Sequence, residues 1–337
     1  MPEPIALDHL TLADGELFHD RKGRACPVPA PAAPLADTHG HLTSLREHDP
    51  ALAIARAALV GVRLLVVPVD PVSDVPRKWP DVPSLLAWLD EQVELARACL
   101  DECAGQGFVP PSFEGYEDVP DLVDNVRIVA GAHPYGAADL DDEATSRLRE
   151  LLASPRCVGA GEFGLDYGPY NEVPYQVQED AFRRQLRLAH DLDLPVELHI
   201  RDAAGDVRGE AHLDAARILS EEGVPRRGCD LHCFTSGLKA MEDFTRLGCH
   251  VAFGGAVTFS RSDDIREAAT FCPRRFLLTE TDSPYMAPVP LRGEECEPAM
   301  VAFTAAQVAD VREGAGRESR PVTYRALWEN SCALFGL

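Results

Sequence analysis

The segment ADTHGHL, residues 36–42, places an acid and two imidazoles at every second position. In a β-strand alternate side chains share one face, so Asp37, His39 and His41 point the same way. Such a cluster is either a metal site or a group of polar side chains that a core must satisfy. The other polar residues of the chain have to decide between these two interpretations.

Similar polar side chains end, or directly follow, the apolar runs along the rest of the chain. They are His39, His41, His133, Glu162, His199, His232 and Asp282. Each one taken singly could be a chance loop residue. Together they indicate one site, because enzymes built as α/β barrels place their active sites at the carboxyl ends of the strands.

The apolar runs alternate with helical patterns along a chain of 337 residues. The predicted strands are 35–39, 62–69, 126–133, 157–163, 195–200, 229–234, 249–256 and 275–281. Helical patterns lie between them, for example at 83–104, 176–193 and 263–272. This alternation predicts an α/β fold, a (β/α)8 TIM barrel that forms a single domain over residues 35–337.

The polar set predicts a centre with two metal ions. Imidazoles combined with two carboxylates suit Zn, Mn, Fe or Ni better than calcium. Two ions about 3.5–4 Å apart need a shared ligand, and the two oxygens of Glu162 can bridge them. A metal-bridging hydroxide attacks phosphorus or a carbonyl carbon, and Asp282 can bind one ion and accept the proton of the water. We therefore expect Glu162 and Asp282 to be catalytic.

Six segments resemble, in the right order, the successive motifs of TatD-type metal-dependent hydrolases, the TatD deoxyribonuclease family of the amidohydrolase superfamily. They read DTHGHL, GAHPYGA, GEFGLDYGPY, LPVELHIRDA, LHCFTSG and LLTETDSPYMAPVPLRG. The resemblance covers residues 36–336 apart from 71–125. It implies a TIM barrel and a binuclear hydrolase, often a deoxyribonuclease, with two divalent ions that are Zn, Mn, Mg, Fe or Ni.

The resemblance also implies roles for individual residues. It assigns His39, His41 and Asp282 to one metal, His199 and His232 to the other, and Glu162 to the bridge. His133 then lies beside the metals and contacts the phosphate of the substrate, and Arg201 faces the same mouth if its strand extends that far. Asp37 matches the first acid of the D-x-H-x-H motif. It either orients a liganding histidine or is a buried hydrogen-bonding group at the strand end.

The predicted function is hydrolysis of phosphoester bonds, with DNA ends or nucleotides as substrates. A hydroxide on two metals attacks an ester or amide carbonyl equally well, so deacylation remains an alternative, for example removal of an aminoacyl group from tRNA. A non-catalytic scaffold on an inherited barrel ranks last, because it predicts a missing ligand and none is missing. The sequence predicts no particular protein partner.

Charge and a long connection argue against a long nucleic-acid groove. The formal net charge is −23 at pH 7, which repels polyanions. Residues 71–125 contain twelve Asp or Glu against three Lys or Arg. We expect this insertion, and 106–124 in particular, to cover the site and admit short or flexible substrates. Glu294, Glu295 and Cys296 replace the polar, basic strip usual in the family, which weakens the case for gripping a DNA backbone.

The remaining features predict location and exclude other sites. Residues 1–34 form an N-terminal extension ending in CPVPAPAAPLA, which is typical of an extended leader rather than a packed element. Without a long apolar run or a signal pattern, we expect a cytoplasmic protein without a membrane partner. The ten cysteines form no paired C-x-x-C knuckles, so they predict no metal site. GAGEFG matches a dinucleotide fingerprint, but Gly168 and Pro169 prevent the helix that such a fingerprint opens.

Overall fold

The computed structural model describes residues 15–337, whose eight strands form one parallel sheet in chain order. The strands are β1 (Leu35–Asp37), β2 (Val62–Val69), β3 (Val126–Ala130), β4 (Cys157–Asp166), β5 (Val196–Arg201), β6 (Cys229–Leu231), β7 (His250–Phe253) and β8 (Leu277–Thr279). The backbone N–H of Thr38 donates to the carbonyl of Thr279 at 3.3 Å, which joins β1 to β8. The predicted (β/α)8 barrel is confirmed.

The helices alternate with the strands around the outside of the barrel. They are α1 (Pro50–Leu59), α2 (Val82–Gly105), α3 (Asp142–Leu152), α4 (Tyr175–Leu192), α5 (Glu210–Glu222), α6 (Leu238–Arg246), α7 (Asp263–Phe271), α8 (Val301–Gly314) and α9 (Arg320–Phe335). An aspartate directly precedes each of the first three helices, and its carboxylate accepts backbone N–H donors of the first turn. These N-cap residues are Asp49, Asp81 and Asp141. None of the helices within residues 15–337 has the length and apolar character that crossing a bilayer requires.

Several strands differ from the predicted bounds at their carboxyl ends. β3 ends at Ala130, so His133 lies in the following turn, where its N–H donates to Asp70 Oδ2 at 3.1 Å. β3 is shorter than predicted because the N–H groups of Ala132 and His133 donate to the side chains of Gln185 and Asp70 instead of to a neighbouring strand. β4 is longer than predicted and continues to Asp166, so GAGEFG stays extended and opens no helix.

The amino-terminal end of the barrel is closed by apolar packing. Leu64, Val66 and Val129, on β2 and β3, form a buried cluster inside this end. Trp328 and Phe335 of α9 pack onto the same cluster and seal it. The polar residues at the opposite, carboxyl end therefore lie above a closed hydrophobic floor.

The two parts of the long connection between β2 and β3 lie at opposite ends of the barrel. Asp74, Arg77 and Lys78, which precede α2, line the cavity at the carboxyl end, whereas the segment after α2 does not. After α2 the chain has reached the amino-terminal end, where Pro111 and Phe113 contact Gly61 just before β2. Arg63, at the start of β2, donates to the carbonyl of Pro111 at 2.9 Å. The expectation that residues 106–124 cover the site is wrong, because the extra residues follow the helix instead of preceding it.

The described part of the N-terminal extension packs on the barrel. The ring of Phe18 lies 6.0 Å from that of Phe303 in α8, and Cys26 is buried. The guanidinium of Arg21 lies against Gly293 in the loop after β8. Phe18, Cys26 and Ala33 of this segment are buried, whereas the sequence analysis expected an extended leader rather than a packed element. Residues 1–14 lie outside the described part of the chain.

Candidate metal centre

The barrel brings the six predicted metal ligands together at the carboxyl ends of its strands. His39 and His41 follow β1, Glu162 lies on β4, His199 on β5, His232 just after β6, and Asp282 after β8. Most of them line the floor of a cavity of about 740 Å³ that opens at this end. The six side chains therefore lie at one common site, and their role as metal ligands stays a prediction.

Glu162 lies between two separate pairs of histidines. Its Oε1 is 3.3 Å from Nε2 of His41. Its Oε2 is 3.2 Å from Nδ1 of His199 and 2.9 Å from Nε2 of His232. Because each oxygen faces its own histidines, the carboxylate can serve two cations at once.

The first group of donors consists of His39, His41 and Asp282. The Nε2 atoms of the two histidines are only 3.0 Å apart. Asp282 Oδ1 lies 3.6 Å from His41 Nε2 and 3.8 Å from His39 Nε2. Two imidazole lone pairs this close require a proton or a cation between them, and a set of imidazoles and carboxylates suits a divalent transition metal.

The second group of donors consists of His199 and His232, with Asp166 behind them. His199 Nδ1 lies 3.0 Å from His232 Nε2, and the other nitrogen of His199, Nε2, lies 3.2 Å from Asp166 Oδ2. The sequence prediction missed Asp166. Its even offset from Glu162 on the same strand was the available signal, because alternate residues of a strand share a face.

The two carboxylates of the centre are held in the ionised form. Burial by itself raises the pKa of Glu162, but its electrostatic interactions with His232 and His133 and its hydrogen bonds with His199 and His232 outweigh burial and leave that pKa well below its ordinary value. Burial likewise opposes ionisation of Asp282, and its contact with His41 lowers its pKa overall. Both groups are therefore negative at neutral pH and attract cations.

The histidines divide into two kinds. Burial lowers the pKa of His39 to about 4 and that of His133 to about 3, so both are neutral at pH 7. Burial also opposes protonation of His41 and His199, but the contacts of these rings with carboxylates have the larger effect on their pKa values. The pKa of His41 is raised well above its usual range, and that of His199 to about 9. The contacts with Glu162, Asp282 and Asp166 therefore favour the protonated form of these two rings.

Asp37 binds the loop that carries Asp282. Its Oδ1 accepts the backbone N–H of Thr281 at 2.8 Å, and its Oδ2 accepts the hydroxyl of Thr281 at 2.7 Å. Burial raises the pKa of Asp37 to about 8. Within residues 15–337 the carboxyl group has no hydrogen bond to a histidine ring. Of the two predicted roles, the structure favours the buried hydrogen-bonding group at the strand end.

A different acid contacts the ring of His39. Glu197 of β5 lies across the barrel, and its Oε1 is 2.7 Å from Nδ1 of His39. The sequence prediction missed this residue. The alternation Glu197, His199, Arg201 along one strand was a signal for it, but only the closed barrel shows which ring it reaches.

The predicted substrate residues line the mouth of the cavity. β5 extends to Arg201, so the condition for its facing the mouth is met, and its guanidinium lies 5.6 Å from the ring of Tyr170. His133 Nε2 lies 3.8 Å from Glu162 Oε2. Tyr135 and Tyr285, which the sequence prediction did not include, also line the cavity and are about half exposed.

The acidic strip after β8 has structural partners. The carboxylate of Glu295 accepts the backbone N–H groups of Arg46, Glu47 and His48 at 2.9, 2.9 and 2.8 Å. Cys296 is fully buried. These residues join the loop after β8 to the loop after β1, so the strip holds together the two loops that carry Asp282 and His41.

Residues 36–336 match the family described as TatD related DNase. The chain belongs to the TatD family. The uncharacterized metal-dependent hydrolase YabD of Bacillus subtilis (strain 168) is 33% identical over 248 residues, which cover 73% of this chain and 92% of that protein. The 3'-5' ssDNA/RNA exonuclease TatD of Pantoea vagans (strain C9-1) is 35% identical over 195 residues, which cover 56% of this chain and 71% of that protein.

Solved structures agree with this membership. The crystal structure of YJJV, a TatD homologue from Escherichia coli K12, has a TM-score of 0.67 at 25% identity and covers 90% of this chain and 98% of that one. The TatD-family chain described here is therefore a metal-dependent hydrolase, as predicted. Candidate groups of metal-binding side chains within residues 15–337 consist of His, Glu and Asp.

Proposed function

We propose that this TatD-family hydrolase cleaves phosphodiester bonds at the ends of single-stranded nucleic acid, with two divalent ions held around Glu162. The observation that carries the proposal is the position of its two oxygens, since Oε1 faces His41 at 3.3 Å and Oε2 faces His232 at 2.9 Å. The proposed ligands are His39, His41 and Asp282 for one ion, His199 and His232 for the other, and Glu162 for both.

The side chains of the centre supply the charge and the proton acceptor that hydrolysis needs. Bound divalent ions activate water and stabilise the negative charge that develops on the phosphate oxygens. Asp282 is ionised, because its histidine contacts lower its pKa. It therefore accepts the proton of the attacking water, while Glu162 stays ionised and keeps the centre negative.

His133 is placed to donate a hydrogen bond to the substrate. Its Nδ1 accepts the backbone N–H of Tyr135 at 3.1 Å, so the proton of the neutral ring is on Nε2. That nitrogen lies 3.8 Å from Glu162 Oε2, beside the centre. A donor there suits a phosphate oxygen rather than a metal ion. Arg201 adds a positive charge at the mouth.

The mouth also carries exposed aromatic rings, which suit unstacked bases. Tyr135, Tyr170 and Tyr285 line the cavity and are 48%, 76% and 55% exposed. Bases of single strands stack on such rings, whereas bases inside a duplex cannot reach them. The net charge of −23 disfavours a long contact with a polyanion, so the proposed substrate is a strand end or a short oligonucleotide. The name of the Pantoea vagans relative agrees with this substrate class.

The experiment compares metal content and substrate range on one preparation. Glu162→Ala should lose both ions and the activity, whereas Glu172→Ala, an exposed glutamate of the loop before α4, should keep both. The substrates are a labelled single-stranded oligonucleotide, the matching duplex and an aminoacyl ester. We expect preferential cleavage of the single strand. Cleavage of the ester alone would overturn the proposal in favour of deacylation, and a wild-type protein without bound metal would overturn it altogether.

A further inference from the structure

Glu197 is a fully buried acid that contacts His39 of the centre from the interior of the barrel. It lies on β5, two residues before His199, and its Oε1 is 2.7 Å from Nδ1 of His39. β1 and β5 lie on opposite sides of an eight-stranded barrel, so the side chain reaches across the interior. Both side chains are essentially inaccessible to solvent, at 1% and 0% exposure. Water therefore cannot replace either group.

The backbone of β4 leaves room for this side chain. A Cβ atom added at Gly161 would lie 2.6 Å from Cβ of Glu197 and 2.8 Å from its carbonyl oxygen. Any larger residue at position 161 would therefore displace the acid. Gly131, just after β3, is also close to Gly161. A Cβ atom added at Gly131 would lie 2.9 Å from the carbonyl carbon of Gly161. The strands are close-packed here, and Glu197 is fixed in its position.

A neutral imidazole offers a lone pair on only one of its two nitrogens. For His39 to bind a cation next to His41, its Nε2 has to be free of a proton, so the proton has to be on Nδ1. We propose that Glu197 is a positioning residue, which accepts the Nδ1 hydrogen of His39 and so presents Nε2 of that ring to a divalent cation. This inference rests on the proposed function in taking His39 as a ligand.

The neighbouring histidine lacks such a partner. Nδ1 of His232 has no hydrogen bond, and the nearest carboxylate oxygen, Oε1 of Glu280, is 4.0 Å away. His39 stacks on His232 with ring centres 4.0 Å apart. The contact with Glu197 therefore orients one ring of the stacked pair, while Nε2 of His232 is held by its contacts with Glu162 and His199. A partner of this kind is expected to matter, because removing an acceptor behind a liganding histidine commonly weakens metal affinity by about 10–100-fold.

Asp230 provides a matched control within the same buried layer. It pairs with Glu197 in the register of β5 and β6, and it is also fully buried. Neither of its carboxylate oxygens has a hydrogen-bond partner. A change at Asp230 therefore removes a buried acid from the same layer without removing a contact to a ligand.

The experiment measures Zn²⁺ affinity by calorimetry without substrate, for wild type, Glu197→Val, Glu197→Gln and Asp230→Asn. Glu197→Val should weaken binding by about 10–100-fold. Glu197→Gln should stay close to wild type, because its amide oxygen still accepts the hydrogen bond, and Asp230→Asn should bind normally. Wild-type affinity in Glu197→Val, or equal losses in the valine and glutamine variants, would overturn the inference. Absence of zinc binding in wild type would instead overturn the proposed function.

A second measurement needs no variant and remains decisive if Glu197→Val does not fold. Nitrogen-15 NMR of histidine-labelled wild type, with chelator at pH 9, reports which ring nitrogen of His39 carries the proton. We expect the proton on Nδ1. A proton on Nε2 would show that Glu197 does not set the tautomer.

Discussion

Asp166 and His199 are joined by a contact of 3.2 Å between Oδ2 and Nε2, while the opposite nitrogen of the ring, Nδ1, lies 3.2 Å from Glu162. Asp166 thus contacts the ring nitrogen of His199 that faces away from the centre.

Removing this acceptor, as in Asp166→Ala, should weaken binding of one of the two ions by about 10–100-fold. Asp166→Asn keeps an acceptor and should bind nearly as well as wild type. Metal titration with mass spectrometry of the native protein checks both, and unchanged binding of two ions by the alanine variant would contradict the assignment.

Arg201 should contribute charge to substrate binding without contributing to the chemical step. Because it lies at the rim of the cavity, Arg201→Met should raise KM for an oligonucleotide, leave kcat near wild type, and reduce the slope of log affinity against log salt by about 1. Arg226 lies before β6 with a side chain that is 82% exposed, and Arg226→Met is the control. It should change neither KM nor the slope of log affinity against log salt. A fall in kcat at constant KM would mean that Arg201 acts in the transition state instead.

Tyr170 should stack on a base next to the cleaved bond. Its ring is 76% exposed beside Arg201, and base stacking on an aromatic ring is worth about 1–3 kcal/mol. Tyr170→Ala should therefore raise KM for a single-stranded oligonucleotide by about 5–160-fold, and Tyr170→Phe should restore it. An oligonucleotide that lacks the terminal base should show no such difference between variants. Equal KM values for alanine and wild type on the intact strand would exclude stacking on this ring.

The metal-free protein should lose stability as the pH rises from 6.5 to 9. Burial raises the pKa of Asp37 and of Glu197 to about 8, and the contact with Asp166 and Glu162 overcomes burial to raise that of His199 to about 9. Each group ordinarily titrates at about 6.5 or lower, so in this window the folded state holds more protons than the unfolded state. The free energy of unfolding should then fall by about 1 kcal/mol or more.

Urea denaturation with chelator at several pH values measures this dependence. Glu197→Gln removes one of the three groups and should give a shallower decline. A stability that is constant or increasing between these pH values would contradict the pKa shifts. Below this window the buried neutral histidines act in the opposite direction. The pKa of His39 is about 4 in the folded protein, so in acid the unfolded state binds more protons and the free energy of unfolding falls as the pH is lowered.

The loop after α2 should matter for stability and not for substrate choice. Replacing residues 108–120 with a short Gly-Ser linker removes the contacts of Pro111 and Phe113 with Gly61 and the bond from Arg63. We expect the free energy of unfolding to fall by about 1–3 kcal/mol. The ratio of activities on long single strands and on dinucleotides should stay the same, because the loop lies at the closed end of the barrel. A changed ratio would show that the loop reaches the mouth after all.

The sequence by itself determined the type of fold and the identity of the proposed metal ligands. Eight apolar runs, six of them with these polar residues at or just after their ends, were sufficient, because the pattern of a barrel strand is local and its side chains alternate. Asp37, His39 and His41 stand at every second position, which therefore indicated that their side chains share one face of a strand without any knowledge of the other strands. The match of residues 36–336 to the TatD family agrees with the order of the motifs.

Contacts across the barrel were decided only by the tertiary structure. Whether Asp37 serves a histidine or a threonine, and which ring Glu197 touches, depend on strands that are far apart in the chain. The side of the barrel on which residues 106–121 lie depends on the direction of α2, which composition does not encode. A sequence shows which side chains share a strand face, whereas the closure of the sheet determines which of them face one another.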